Sequence, residues 1–443
     1  MIRVGLCGVG TVGSGVVNLI NDNAEVIAQR LGKPLQLTLV GARRDPTNCD
    51  LSSLRVTRDV LQVASDPDVD LLVELIGGST TAFELIKTAL NNHKHVVTAN
   101  KALIAEHGEE LMRLAAQNNC ILRFEAAVAG GIPIIDTLCG ALAGNRIQEV
   151  VGIINGTSNF ILSSMHKEGL GFAEALTLAQ RMGYAEADPG FDIEGIDAAH
   201  KLAIIASLAF GTQLDYFNLA VEGISAIDPL DFRYARKLGY EIKHLGIARL
   251  LEQDDKQLVQ MRVHPTLVPK NTILAQVDGA TNALLVDSQP LGRGFYIGQG
   301  AGAGPTASAV LSDIIAAARA GESAHAYPSA GFQQGMRNHI ETQPFDEVVC
   351  SNYLRLHAID EPGVLARITG IFAEEKNSIE AILQQEPDHS DKHPVVPIVM
   401  LTKSIAEYRM RRVITCLEQL EEIRGKVHRI RVEHLEEPCQ PRS

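Results

Sequence analysis

Apolar and polar residues follow two rhythms through the first part of the chain. Short apolar runs, IRVGLCG (2–8), LQLTLVGA (35–42), VDLLVELIG (69–77), HVVTAN (95–100) and CILRFEAA (120–127), read as strands. Between them, residues 11–31, 81–92 and 105–117 carry apolar side chains at helical spacing. Strands alternating with helices predict a parallel sheet covered on both faces. The rhythm then changes. EAAVAGGIPIID (125–136) is small and apolar, NGTSNFIL (155–162) is a turn entering a helix, and AAHKLAIIASLAF (198–210) is an apolar helical run. Alternating runs between residues 215 and 300 predict a mixed sheet joined by helices. A glycine-rich turn and long amphipathic helix (297–320) should return onto the first domain. The tail reads strand, helix, strand, strand, helix, strand, the split β-α-β pattern.

Composition narrows the class. A chain of 443 residues with 46% hydrophobic content has room for several cores. Its net charge of −13 argues against nucleic-acid binding, which favours a basic field. The cysteines (Cys7, Cys49, Cys120, Cys139, Cys350, Cys416 and Cys439) form no CxxC pair or compact framework. A reduced, cytoplasmic protein is expected, with no signal peptide and no membrane helix.

The chemistry begins in the turn after the first strand, Gly8-Val9-Gly10-Thr11-Val12-Gly13. A lone GxGxxG is weak, but between strand and helix it lets backbone N–H groups approach a pyrophosphate. After the second strand come Arg43 and Arg44. Guanidinium groups pair well with a phosphate dianion, so NADP is favoured, although the neighbouring Asp45 leaves NAD open. Loops 74–80 and 96–105 follow strands and face the ligand edge of a doubly wound sheet, which brings in Gly77, Ser79 and Lys101. Lys101 could equally be a surface lysine in a first helical turn. Glycines such as Gly302 in GQGAGAGP mark a further phosphate or ribose contact, or simply a sharp turn.

EADPGFDIEGIDAAHK (186–201) gathers Glu186, Asp188, Asp192, Glu194 and Asp197 before an apolar helix. The spacing does not fit an EF-hand, because Pro-Gly-Phe separates Asp188 from Asp192 and no glutamate closes the loop. Acids that merely complement the positive end of a helix are the bland reading. Asp197 and Lys201, four apart, share one helix face.

Together, GLCGVGTVGSG, TANKALIA, EAAVAGGIPII, NGTSNFIL, GYAEADPGFDIEGIDAAHK and GAGAGPTASAV, in that order over essentially the whole chain, resemble a monofunctional homoserine dehydrogenase. The resemblance implies an α/β chain with a Rossmann-type doubly wound parallel sheet at 1–130. It further implies an α+β substrate and oligomerisation domain at 131–305, a return helix at 306–335, a linker at 336–349 and a ferredoxin-like ACT domain at 350–435. The implied reaction interconverts L-homoserine and L-aspartate 4-semialdehyde with NADP, or NAD. Glu186 and Asp197 would hold the substrate ammonium, supported by Asp192. Lys201 would exchange the proton, with Lys101 near the reacting centre. A dry site would lower a lysine pKa and Asp197 would raise it. Gly183 would join the cofactor contacts. Glu125 and the carbonyls of Val128, Gly130 and Ile132 would hold a monovalent cation such as sodium.

In the tail, DEPGVLARITGIFAEE (360–375) resembles the first loop and helix of an ACT domain. Pro362 would start the helix, Gly363 would admit a small ligand and Asp360 would receive its ammonium. L-Threonine is the expected effector, a homo-oligomer the expected assembly, and truncation near Gln343 is expected to spare activity. No aspartate-kinase segment is expected. Two rivals are aspartate-semialdehyde dehydrogenase, which needs an activated cysteine, and a non-catalytic nucleotide- and amino-acid-sensing regulator.

Overall fold

Six parallel strands form the first sheet of the computed structural model: β1 (Ile2–Cys7), β2 (Leu35–Gly41), β3 (Arg55–Thr57), β4 (Leu71–Glu74), β5 (His95–Thr98) and β6 (Leu122–Arg123). The structure describes residues 1–44, 46, 48–253, 255–320, 328–332, 336–384 and 395–435. Asp45 and Cys439, both singled out above, lie outside the described residues. The strand order is β3-β2-β1-β4-β5-β6, that of a doubly wound dinucleotide fold. Both faces are covered, so Val4, Leu6, Leu72 and Val73 are fully buried. The helical stretch expected at 11–31 is two helices, Thr11–Asp22 and Ala24–Leu31. The break falls at Asn23, whose φ of −112° and ψ of 19° are not helical.

The second sheet starts with β7 (Arg146–Ile153). After the short β8 (Ala220–Val221) it takes β9 (Tyr240–Gln253), β10 (Lys256–Pro269), β11 (Thr281–Gln289) and β12 (Gly292–Gln299). The helix Ala303–Ala320 then lies along Thr11–Asp22, so tightly that a Cβ on Gly15 would stand 3.0 Å from the Ala303 carbonyl oxygen and 3.2 Å from Ala307 Cβ.

After β13 (Glu341–Thr342), the tail supplies β14 (Val349–Ile359), β15 (Ile379–Gln384), β16 (Val395–Thr402), the two-residue β17 (Ile405–Ala406) and β18 (Ile423–Val432). Helices Val364–Glu374 and Glu407–Glu418 complete the split β-α-β order. The first of these begins at Val364, not at Pro362. Gly363 has a φ of 92°, which a helix cannot continue through.

The tail sheet is not closed on itself. β18 runs parallel to β10, pairing Thr266 with Arg431 and Leu267 with Val432. One sheet path therefore crosses the molecule as β12-β11-β7-β9-β10-β18-β14-β16-β15. Three ion-pair clusters fasten the junction. Glu433 bridges Arg249 and Arg262, Asp231 accepts from Tyr353 and Arg355, and Arg431 reaches both Glu222 and Glu407.

Candidate active site

The glycine turn after β1 is built for close approach. Gly8 has a φ of 97°, and a Cβ on Gly13 would stand 2.0 Å from the Gly8 carbonyl oxygen. A Cβ on Gly10, by contrast, would meet nothing within 4 Å. That open side faces a cleft of about 920 Å3 lined by Gly8, Gly10, Thr11, Arg43, Arg44 and Gly77. Val12 and Gly13 sit behind it in the first helical turn, whereas Ser79, Gly183 and Gly302 are not among its walls. A third guanidinium lines the cleft as well. Arg58 follows β3 and donates to the Ala42 carbonyl at 2.9 Å. Sequence reasoning missed it because the three-residue β3 was not recognised as a strand.

Glu74, at the end of β4, shapes the opposite lip. Its buried carboxylate accepts from Ile76 and Gly77 N–H at 2.8 and 3.1 Å and from Thr98 at 2.5 Å. Asn100 caps the helix Lys101–Gln117 and also donates to the Gly78 carbonyl at 2.6 Å. The helix that starts with Lys101 is thereby tied to the cleft's edge.

Beside that edge, two helix N-termini converge. The helix Ile196–Phe210 is apolar on nearly every side and packs in one core with Leu103, Ile104 and Leu111 of Lys101–Gln117. This packing carries Asp197 to Lys101. The two carboxylate oxygens of Asp197 face different lysines: Lys101 Nζ lies 3.0 Å from Oδ1 and Lys201 Nζ 2.7 Å from Oδ2. Lys201 also donates to the Ile154 carbonyl at 2.9 Å. Its side chain is 11% exposed and that of Lys101 33%, so Lys101 is the more open to solvent. Burial alone would raise the Asp197 pKa. Lys201 and Lys101, with hydrogen bonds from Lys201 and Asn155, hold it well below the usual carboxylate range.

Asn155 is a member of this site that sequence reasoning did not assign. Its amide nitrogen donates to Asp192 at 2.8 Å and Asp197 at 2.7 Å, while its oxygen caps the helix Gly156–Glu168 through Ser158 N–H at 2.8 Å. NGTSNFIL read as a turn entering a helix, but nothing local showed the carboxylates. Burial and the charge of Asp197 push the Asp192 pKa up. Glu186 is exposed and is not drawn into the Asp197 cluster. Its loop is nevertheless pinned near Asn155, because Thr157 donates to the Tyr184 carbonyl at 2.6 Å.

Glu125 is buried at the inner end of the first sheet. Its oxygens accept Ile135 N–H at 2.9 Å and Asp136 N–H at 2.7 Å. Burial and the nearby Asp313 push its pKa up to about 8. The chain turns with positive φ at Ala129 and Gly130, and the Ile132 carbonyl accepts from Ile134 N–H at 2.7 Å.

A cleft at the glycine turn, bordered by a buried carboxylate between two lysines, defines an oxidoreductase that uses a nicotinamide dinucleotide. The family model described as "Homoserine dehydrogenase, NAD binding domain" matches residues 8–125, and that described as "Homoserine dehydrogenase" matches 133–315. The homoserine dehydrogenase of Pseudomonas aeruginosa is 46% identical over 436 residues, 98% of this chain and 99% of that protein. The solved homoserine dehydrogenase from Thiobacillus denitrificans is 44% identical with a TM-score of 0.91, covering 98% of this chain and 99% of its own. A hyperthermophilic archaeal homoserine dehydrogenase, solved in complex with NADPH, is 27% identical with a TM-score of 0.59 and covers 71% of this chain and 97% of its own. This chain belongs to the homoserine dehydrogenase family. It interconverts L-homoserine and L-aspartate 4-semialdehyde. Among the described residues, no helix is long and apolar enough to cross a membrane, and Cys7, Cys49, Cys120, Cys139, Cys350 and Cys416 are free thiols.

Proposed function

We propose that Lys201 exchanges the proton with the substrate oxygen while Lys101, the more open lysine, steadies the charge that develops there. The observation that carries this reading is the shared carboxylate of Asp197, which holds both ammonium groups within 3.0 Å of its oxygens. When bound, the nicotinamide supplies or accepts the hydride. The chain's own residues bind, orient and move the proton. Asp197 and Asp192, joined by Asn155, hold the substrate ammonium, and Glu186 closes over it from the pinned loop. A buried carboxylate gains from a cationic ligand what it loses in hydration. The test is homoserine-dependent nicotinamide reduction by wild type and Lys201→Ala at saturating substrate.

NADP is the preferred cofactor in this reading. Arg43, Arg44 and Arg58 bring three guanidinium groups to one cleft, a strong match for a 2′-phosphate, and the archaeal relative binds NADPH. The site works in the cytoplasm as part of threonine, methionine and isoleucine synthesis. A monovalent cation such as sodium fits the Glu125 loop. The Val128 and Gly130 carbonyls accept no hydrogen bond among the described residues, and a nearby positive charge would relieve the crowding of Glu125 by Asp313.

The tail is an ACT domain. Its split β-α-β order supports this, as does the left-handed Gly363 beside the exposed Asp360. L-Threonine is the effector it senses. The enzyme assembles as a homo-oligomer, a dimer or tetramer. The edge strand β12 supports that reading, with Phe295 38% and Ile297 52% exposed, as apolar side chains on an unpaired edge invite a partner. Light scattering of the purified enzyme tests the assembly.

A further inference from the structure

The acid-rich stretch 186–197 holds one aromatic residue, Phe191. It is 41% exposed, although a phenylalanine gains most when it is covered. Its ring lies at Lys101, whose Nζ stands 5.5 Å from the ring centroid and 3.0 Å from Asp197 Oδ1. The face of an aromatic ring carries partial negative charge and attracts an ammonium within about 6 Å. Lys101 thus has a carboxylate and a ring face as neighbours.

The ring is held there by its surroundings. His200 lies 5.5 Å from it, centroid to centroid, and packs in turn on Tyr216 at 4.3 Å. Burial lowers the His200 pKa, so this neighbour is neutral at pH 7 and does not compete with Lys101 for the ring. The backbone that carries Phe191 is equally constrained. In the short helix Gly190–Ile193, Asp192 and Ile193 N–H donate to the Pro189 carbonyl at 2.9 and 3.0 Å. Ile224 N–H reaches the Ile193 carbonyl at 2.9 Å, and a Cβ on Gly223 would stand 2.5 Å from that oxygen.

The two active-site lysines are fixed differently. Lys201 has two acceptors, Asp197 and the Ile154 carbonyl. Among the described residues, Asp197 is the only ion-pair partner of Lys101. A lysine side chain held by one contact keeps much of its rotamer freedom, which must be given up when it acts.

We propose that Phe191 is a positioning residue for the dehydrogenase reaction: its ring face holds the Lys101 ammonium against Asp197 and leaves its remaining side for the substrate oxygen. This rests on the reading that Lys101 steadies the charge developing on that oxygen. A second carboxylate would hold the ammonium more tightly but would compete with the developing charge. A ring attracts the ammonium without taking up its hydrogen-bonding capacity.

The test measures homoserine-dependent NADP reduction by full-length enzyme carrying Phe191→Leu or Phe191→Tyr, each alone and combined with Lys101→Met. Calorimetry follows NADP affinity. Leucine keeps an apolar side chain without the ring face, whereas tyrosine keeps the face. Phe191→Leu should lower kcat roughly threefold to tenfold, the scale of a cation–π contact, with KM for homoserine and NADP affinity near wild type. Phe191→Tyr should recover most of that loss. In the Lys101→Met background, assayed at raised enzyme concentration, Phe191→Leu should have no further effect. Wild-type kcat in Phe191→Leu beside an impaired Lys101→Met overturns the proposal alone. Wild-type kcat in Lys101→Met removes the role of Lys101 and the proposal with it. Equal losses in both backgrounds, or equal losses for leucine and tyrosine, would mean that the ring acts without Lys101 and overturn it too. A second measurement is independent of turnover. With 13C at lysine Cε, the Lys101 methylene protons, identified by their absence from Lys101→Met, should be shifted upfield by the ring and lose that shift in Phe191→Leu. An unshifted signal in wild type would overturn the contact itself.

Discussion

Asp197 accepts from Lys201 and Asn155 on one oxygen and faces Lys101 on the other, so each partner's loss is felt by the rest. Lys201→Ala should lower turnover roughly 10²-fold or more while cofactor affinity stays near wild type, because the lost interaction belongs to proton transfer. Wild-type turnover at saturating homoserine would refute the role. The same substitution should cost stability at neutral pH. The folded pKa of Asp197 lies below its unfolded value of about 3.9, so its pairing stabilises the fold fully above that pH. As pH falls through the folded value the contribution is lost, and the melting curves of variant and wild type should converge. Glu125 has the opposite sign. Its folded pKa of about 8 means that the folded state increasingly disfavours the charged carboxylate as pH rises from the unfolded value near 4.5. Sodium bound there would favour the charged form. The gain in melting temperature from sodium over choline should therefore grow between pH 6 and 8 and vanish in Glu125→Ala.

Among the elements, the glycine turn separates two roles that look alike in sequence. Gly10→Ala should leave the melting temperature of the cofactor-free enzyme unchanged yet weaken NADP binding, because its Cβ enters open cleft. Gly13→Ala should lower both, because its Cβ meets the Gly8 carbonyl oxygen. Equal melting temperatures for the two variants would contradict this. Arg43→Ala/Arg44→Ala should weaken NADP more than NAD, and equal losses in measured affinity would show that the pair does not read the 2′-phosphate. The first sheet was legible because its central strands are buried on both faces and read as apolar runs. β3 has only three residues, so Arg58 was hidden with it. Asn155 stood in a stretch legible only as a turn entering a helix, and its contacts with Asp192 and Asp197 exist only once distant helices have packed. Asp197 and Lys201 were readable from their four-residue spacing, whereas the contact of Lys101 with Asp197 needed the fold.

Over the whole molecule, the tail read as a self-contained module, since its helices and strands alternate in a closed pattern. The pairing of β18 with β10 joins two runs far apart in sequence, and no local signal announces it. This changes the expectation for truncation near Gln343. Cutting there removes Arg355, Arg431 and Glu433, which leaves Asp231, Glu222 and Arg262 without their partners. The cut also strips β18 from the end of β10, where it pairs with Thr266 and Leu267. The truncated chain should melt well below the full-length enzyme and lose activity on mild heating, as thermal melts and residual-activity assays would show. A truncated form that melts with wild type would mean that these pairs contribute little.

The same junction bears on how the protein is made. Arg262 is buried against Glu433, the two being 171 positions apart. A ribosome adding about 5–20 residues per second exposes that arginine roughly ten to thirty seconds before its carboxylate exists. Throughout that interval the end of β10 at Thr266 and Leu267 lacks its β18 neighbour. Newly made enzyme should therefore pass through a vulnerable period between the synthesis of β10 and that of β18, with the nucleotide-binding sheet already complete.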